Sequence, residues 1–229
     1  PGVLTDATAD FAFALLLAAA RRVTEGDAFV RAGRWKAWDP DLLLGRSLAG
    51  ATLGLWGLGA IGQAVARRAR GFSLRVLYAS RSAHPEAEAE TGAERVEPAR
   101  LLAESDFLSL HVALTPQTRH LVGEAELDRM KPGSVLINVA RGAVVDQAAL
   151  ARALARGRPA FAALDVFDPE PLPPDDPLLR LPNVLLAPHL GSATTRTREE
   201  MAALAVENVL AGLAGRPLPC SALTPPPGR

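Results

Sequence analysis

From residue 51 onward, short unbroken apolar runs alternate with runs whose apolar positions recur at helical spacing. "ATLGLWG", "LRVLYA", "DFLSLHV", "SVLINVA", "AFAALDV" and "NVLLAPH" read as strands. "IGQAVARRAR", "EPARLLAES", "EAELDRM" and "DQAALARALARG" fall between them and read as helices. The strand runs are apolar at successive positions, as strands covered on both faces by helices must be. The pattern predicts an α/β fold built on a doubly wound parallel sheet. Upstream, Asp6 to about Gly26 reads as one long helix, with Thr5 or Asp6 able to cap it. "RAGRWKAWDPDLLLGRSLAG" mixes Gly, Pro and Trp and reads as an extended connection. Pro-rich residues 167–182 read as loop, 194–214 as a last long helix, and "TPPPGR" as a frayed tail.

The chain has 229 residues, 48% of them apolar, enough for a sizeable core. Its formal net charge of zero gives no electrostatic reason to expect a nucleic-acid or acidic-membrane partner. One cysteine, Cys220, precludes an internal disulfide and suits a reducing, cytoplasmic setting. The apolar run Phe11 to Ala20 is too short to span a bilayer, which leaves a buried helix or a signal-peptide core. The basic pair Arg21–Arg22 follows that run instead of preceding it, the wrong order for a signal peptide. Among 25 basic residues only Lys36 and Lys131 are lysines, a bias that thermophily or a GC-rich genome would each produce.

Candidate chemistry begins at "GLGAIG", Gly57 to Gly62, between a predicted strand and a predicted helix. In that context Gly57 would permit the tight turn and Gly59 a close approach of backbone to a pyrophosphate. Gly62 would permit helix–sheet packing, and the helix N-terminus would receive the phosphates. An acid commonly ends the next strand, where it would bind ribose hydroxyls and repel a 2′-phosphate. Here the strand ends on Ser80, Arg81 and Ser82. A guanidinium and two hydroxyls suit a phosphate dianion, so NADP(H) is the preferred cofactor and NAD(H) a second choice; a solvated Arg in a turn is the plainer alternative.

Arg141, Glu170 and His189 each follow a separate strand, on the edge where such sheets bind ligands. Each has a dull reading alone, as a helix-entry Arg, a loop Glu or a strand-ending His. Together they offer a guanidinium, a carboxylate and an imidazole beside a nucleotide loop. A carboxylate beside an imidazole favours its protonated form and fixes its ring. No His/Cys/Asp spacing suggests a metal site.

"VLTDATADFAFALLLAAARR", "LWGLGAIGQAVARR", "LYASRS", "LINVARGAVVDQAAL", "ALDVFDPEPLP" and "PHLGSAT" occur in that order across residues 2–214. Through them the chain resembles the D-isomer-specific 2-hydroxyacid dehydrogenases, and most of all the glyoxylate/hydroxypyruvate reductases. The resemblance implies that Arg141 binds the substrate carboxylate and polarises the ketone. It makes His189 the general acid and Glu170 its partner. It places Leu58, Gly59, Ala60 and Ile61 on the pyrophosphate and Ser80 to Ser82 on the 2′-phosphate. Val139, Ala140, Asp165 and Gly191 fall near the nicotinamide, with Arg141 and His189 beside them and Thr5 also against the cofactor. His111 falls on the adenosine side and is read as structural. Family members often carry Pro where this chain has Ala113.

The implied division is a linking helix at 1–26, an NAD(P)-binding Rossmann domain at 27–190, and a C-terminal helix and tail at 191–229. The resemblance also implies a longer enzyme, with roughly a hundred more residues ahead of this chain forming most of a substrate lobe. Trp35 and Trp38 suggest an interface, so a homodimer is expected, with Trp38 reaching toward the partner's active site. The expected reaction is NADPH-dependent reduction of glyoxylate or hydroxypyruvate to glycolate or D-glycerate. An NAD-dependent relative acting on D-lactate or 3-phosphoglycerate is the alternative within the family. A dinucleotide-sensing dimeric binding protein is the alternative of another class.

Overall fold

The computed structural model describes residues 2–221; the expected frayed tail, "TPPPGR", lies outside them. Seven parallel strands form one sheet in the order β3-β2-β1-β4-β5-β6-β7. They are β1 (Thr52–Trp56), β2 (Arg75–Ala79), β3 (Glu94–Arg95), β4 (Phe107–Leu110), β5 (Val135–Asn138), β6 (Phe161–Leu164) and β7 (Val184–Leu186). The order runs outward both ways from β1, which is the doubly wound, Rossmann-like α/β arrangement with one strand added at the far edge. Every long strand predicted from the sequence is present. β1, β4 and β5 are buried at every position, the reason their sequences read as continuous apolar runs.

Helices α1 (Thr5–Ala20) and α3 (Ala60–Gly71) cover one face of the sheet; α5 (Pro98–Glu104), α6 (Glu124–Arg129) and α7 (Gln147–Ala155) belong to the other. Phe13 of α1 stacks on Phe72 at 5.2 Å between ring centroids. Arg68 of α3 reaches back to Asp10 at 2.6 Å and Asp6 at 3.1 Å on α1. Both carboxylates are exposed, so the pairs direct packing more than they stabilise it. The last helix, α8 (Thr195–Leu213), is capped by Thr194, whose side chain accepts from the Thr197 N–H.

Three expectations change. The single helix from Asp6 to Gly26 is two: α1 ends at Ala20, and α2 (Val23–Arg31) follows after Arg22, whose φ of 54° is left-handed. The break is held by the returning connection, where the Arg46 N–H donates to the Ala20 carbonyl at 2.8 Å, and by the Arg22–Glu25 ion pair at 2.6 Å. Neither Thr5 nor Asp6 caps α1: Leu4 holds the N-cap position without a side-chain hydrogen bond. Between β2 and α5 lie a short helix, α4 (Pro85–Thr91), and the two-residue exposed edge strand β3, neither of them anticipated. The 167–182 segment is loop as expected, apart from one 3₁₀ turn at Pro177–Arg180.

Candidate active site

The C-terminal ends of the strands carry three cavities, of about 570, 420 and 450 Å³. The first gathers Gly57, Leu58 and Gly59 with Ser80, Arg81 and Ser82. The second gathers Ile61, Val139, Ala140 and Arg141. His111, Val112 and Ala113 line both, so the two are neighbours along one cleft. The third is lined by Glu170, His189 and apolar residues that include Leu172 and Leu186.

The glycine loop has the geometry that a dinucleotide requires. Gly57 has φ +101°, and a Cβ there would stand 2.6 Å from the His111 carbonyl oxygen. A Cβ on Gly62 would run into the Gly57 carbonyl, so helix α3 can approach the turn only at a glycine. Gly59, at the N-cap of α3, is different: its Cβ would meet nothing within 4 Å. The space over Gly59 is therefore open to a ligand, and the free N–H groups of a 12-residue helix face it. Gln63 closes the loop by donating from Nε2 to the Leu58 carbonyl at 3.0 Å. Ala60 and Gly62 belong to α3 and form the base of the loop.

At the end of β2 the Ser80 hydroxyl donates to the Ser82 carbonyl. Arg95 of β3 donates to the carbonyls of Ser80 and Arg81, each at 3.0 Å, and so fixes the turn beneath Arg81. His84 also lines this cavity, its backbone N–H donating to the Tyr78 hydroxyl at 3.1 Å. Sequence reasoning passed over His84 because it lies beyond the strand end, in the entry to an unanticipated helix.

The Nδ1 of His189 lies 2.9 Å from Glu170 Oε2, and Glu170 Oε1 accepts the Phe167 N–H at 2.8 Å. Burial pushes the Glu170 carboxyl up, but its hydrogen bonds from His189 and Phe167 outweigh this and hold it below the usual value. His189 itself adopts φ +57°. Asp165 holds that turn: its carboxylate accepts the Leu190 N–H at 2.7 Å and the Gly191 N–H at 2.8 Å, while its carbonyl accepts the His189 N–H at 3.0 Å. Asp165 is 1% exposed, and burial raises its carboxyl despite the two N–H donors. The same site places Thr8 of α1 against Gly191, one helical turn past Thr5. Arg141 is exposed at the end of β5, and the side chain of Asn138 accepts the Ala140 N–H and donates to the Arg141 carbonyl, shaping the turn that presents it.

The family model described as "D-isomer specific 2-hydroxyacid dehydrogenase, NAD binding domain" matches residues 13–191. The chain belongs to the D-isomer specific 2-hydroxyacid dehydrogenases. A protein named glyoxylate reductase, from Korarchaeum cryptofilum, is 57% identical over 212 residues, 92% of this chain and 64% of the relative. The chain thus spans just under two thirds of that curated relative's length. The solved structure of the TT0316 protein from Thermus thermophilus superposes with a TM-score of 0.90 at 55% identity, over 96% of this chain and 68% of that one. An acyclic imino acid reductase solved with NADPH and D-Arg superposes with a TM-score of 0.84 at 31% identity, over 95% of this chain and 68% of that one. As an NAD-binding domain of this dehydrogenase family, the fold puts its glycine loop, Arg141 and the Glu170–His189 pair on one edge of one sheet.

His111 stands on that edge too, directly after β4. Its Nε2 is 2.9 Å from the Ser109 hydroxyl, and its Nδ1 is buried with no partner. Burial drives its pKa from 6.5 down to about 4. The folded protein therefore holds His111 neutral at pH 7, while the unfolded chain takes up its proton near 6.5. Stability from this residue is full above that pH, is lost as pH falls toward 4, and changes no further below it. The expected loss is roughly 3 kcal/mol. NMR titration of the four histidines should find one ring that titrates near 4, and replacement of His111 by Gln should flatten the pH dependence of unfolding over that window. Among the described residues no group of His, Cys, Asp and Glu could hold a metal ion, and no helix is long and apolar enough to cross a membrane.

Proposed function

We propose that this chain is the catalytic nucleotide-binding part of a reductase that uses NADPH to convert small 2-keto acids, glyoxylate and hydroxypyruvate foremost, to 2-hydroxy acids. The observation that carries the reading is the 2.9 Å Glu170–His189 pair on the same sheet edge as Arg141 and an open glycine loop. Arg141 binds the substrate carboxylate and draws electron density from the ketone. Glu170 engages Nδ1, which leaves His189 Nε2 to give its proton to the keto oxygen as the alkoxide develops. The reduced nicotinamide, when bound, supplies the hydride. Val139, Ala140, Asp165, Gly191 and Thr5 would hold that end, and Leu58 to Ile61 would hold the pyrophosphate.

The NADPH preference rests on Ser80, Arg81 and Ser82. Arg81 is exposed in the first cavity, on a turn pinned by Arg95, where a 2′-phosphate would gain a charge-assisted hydrogen bond. The Ser80 hydroxyl would have to exchange its Ser82 bond for the phosphate. Replacing Arg81 with Ala should raise the KM for NADPH roughly tenfold or more and leave that for NADH nearly unchanged. Steady-state kinetics with both cofactors test this, and equal losses would make Arg81 a structural residue.

The name of the 57%-identical relative supports glyoxylate as substrate. The division at 1–26, 27–190 and 191–229 is offered as one of functional units, the first holding α1 and the start of α2. A homodimer is supported by α2, which buries none of its residues, and by the exposure of Trp35 and Trp38, the latter 80% exposed. The single cysteine supports a cytoplasmic setting.

A further inference from the structure

The geometry points to Gln147 as a positioning residue that locks the loop carrying Glu170 to the segment carrying Arg141. Gln147 is the first residue of α7, fixed there by its neighbour Asp146, whose carboxylate caps the helix through the Ala149 N–H at 2.9 Å. Its side-chain amide spans the catalytic loop. Oε1 accepts the Asp168 N–H at 3.2 Å, and Nε2 donates to Asp176 Oδ2 at 2.7 Å. Asp168 precedes Glu170 and Asp176 follows it, so one side chain closes the loop from both ends.

A second contact ties the same two segments. A Cβ on Gly142 would overlap the backbone of Phe167, so the stretch just after Arg141 lies directly against the start of the Glu170 loop. Phe167 is also the residue whose N–H holds Glu170. The Arg141 segment and the Glu170 loop thus meet at Gly142 and again at Gln147. The Arg119–Asp168 ion pair at 3.2 Å joins the loop as well, but both partners are exposed and solvent screens it.

The chemistry needs such a lock. The carboxylate and the keto carbon of a 2-keto acid are bonded to each other, so the guanidinium that binds one and the imidazole that protonates the oxygen of the other must keep a fixed separation. A misplacement of about 1 Å can cost roughly a hundredfold in rate. Only a side chain that accepts and donates at once can hold both Asp168 and Asp176. Gln147→Glu would keep the first bond and set a negative charge against Asp176.

The test reverses the polarity of one bond. In the double variant Gln147→Glu/Asp176→Asn, the introduced amide would donate to the introduced carboxylate. The amide oxygen would keep the 2.9 Å bond that Asp176 Oδ1 accepts from the Leu178 N–H. The kinetic arm rests on the reductase reading; ¹⁵N NMR of the His189 ring nitrogens does not. Gln147→Glu alone should lower kcat about tenfold, leave the KM for NADPH unchanged and shift the His189 Nδ1 signal. The double variant should recover both kcat and the signal. Wild-type kcat and an unshifted His189 signal in Gln147→Glu would overturn the inference. So would a double variant that regains the melting temperature but not kcat or the signal. If the wild-type protein, at its relatives' full length, turns over no 2-keto acid, the reductase reading fails, and the NMR comparison still decides the lock.

Discussion

Replacing His189 with Gln is expected to lower kcat by about 10²–10⁴-fold while dinucleotide binding persists. Glutamine can still hydrogen-bond the keto oxygen, but it cannot deliver a proton to it. His189 lies outside the cavity that gathers the glycine loop and the Ser80–Ser82 turn, so the change leaves those contacts in place. The turn that presents residue 189 is set by Asp165 through the N–H groups of Leu190 and Gly191, which the substitution leaves untouched. The local penalties are the lost imidazole bond to Glu170 and the left-handed backbone at φ +57°, which glutamine adopts less readily than histidine. Steady-state kinetics beside a fluorescence titration of bound NADPH separate the two effects. A variant that loses binding and turnover together would assign His189 to the fold of the site and not to its chemistry.

The second large effect lies in the glycine loop, where two neighbouring substitutions should part company. Gly57→Ala places a Cβ 2.6 Å from the His111 carbonyl at a φ of +101°, so the strand-to-helix turn must move. The expected destabilisation is on the order of 3 kcal/mol, with dinucleotide binding lost along with it. Gly59→Ala meets nothing within 4 Å and sits at a φ of −71°, ordinary for alanine. The ligand-free protein should therefore stay within about 1 kcal/mol of wild type, the lower chain entropy of alanine offset by its poorer fit at the N-cap of α3. The new methyl would instead occupy space a pyrophosphate needs, an overpacking of roughly 1–3 kcal/mol, or about five- to 150-fold in Kd. Denaturant unfolding and NADPH titration of both variants measure this. If Gly59→Ala binds NADPH like wild type, the pyrophosphate does not cross Gly59.

The parts of this structure that were legible in the chain are those set by local pattern. β1, β4 and β5 are covered on both faces, and that burial writes itself as an unbroken apolar run. Arg141, Glu170 and His189 stood out because each follows a strand on the ligand edge of such a sheet. The break between α1 and α2 did not stand out. The left-handed residue there is Arg22, not a glycine, and the chain that holds the break returns from residue 46. Helix α4, rich in Glu, and the two-residue strand β3 lack an apolar signature altogether. At the site, the holding contacts escaped notice for the same reason. Asp165 acts on N–H groups 25 and 26 residues away, and Gln147 on partners 21 and 29 residues away, spacings no helix or strand period would flag.

The central claim is that the cleft holding the glycine loop and Arg141, with the Glu170–His189 pair on the same sheet edge, forms one reductive site. It is tested most directly by following the absorbance of NADPH with glyoxylate, hydroxypyruvate and pyruvate, with NADH in parallel. The expected result is oxidation driven by glyoxylate and hydroxypyruvate, with a higher kcat/KM for NADPH than for NADH. Tight dinucleotide binding with no turnover of any 2-keto acid, by a protein of the relatives' full length, would contradict it and would favour a dinucleotide sensor instead.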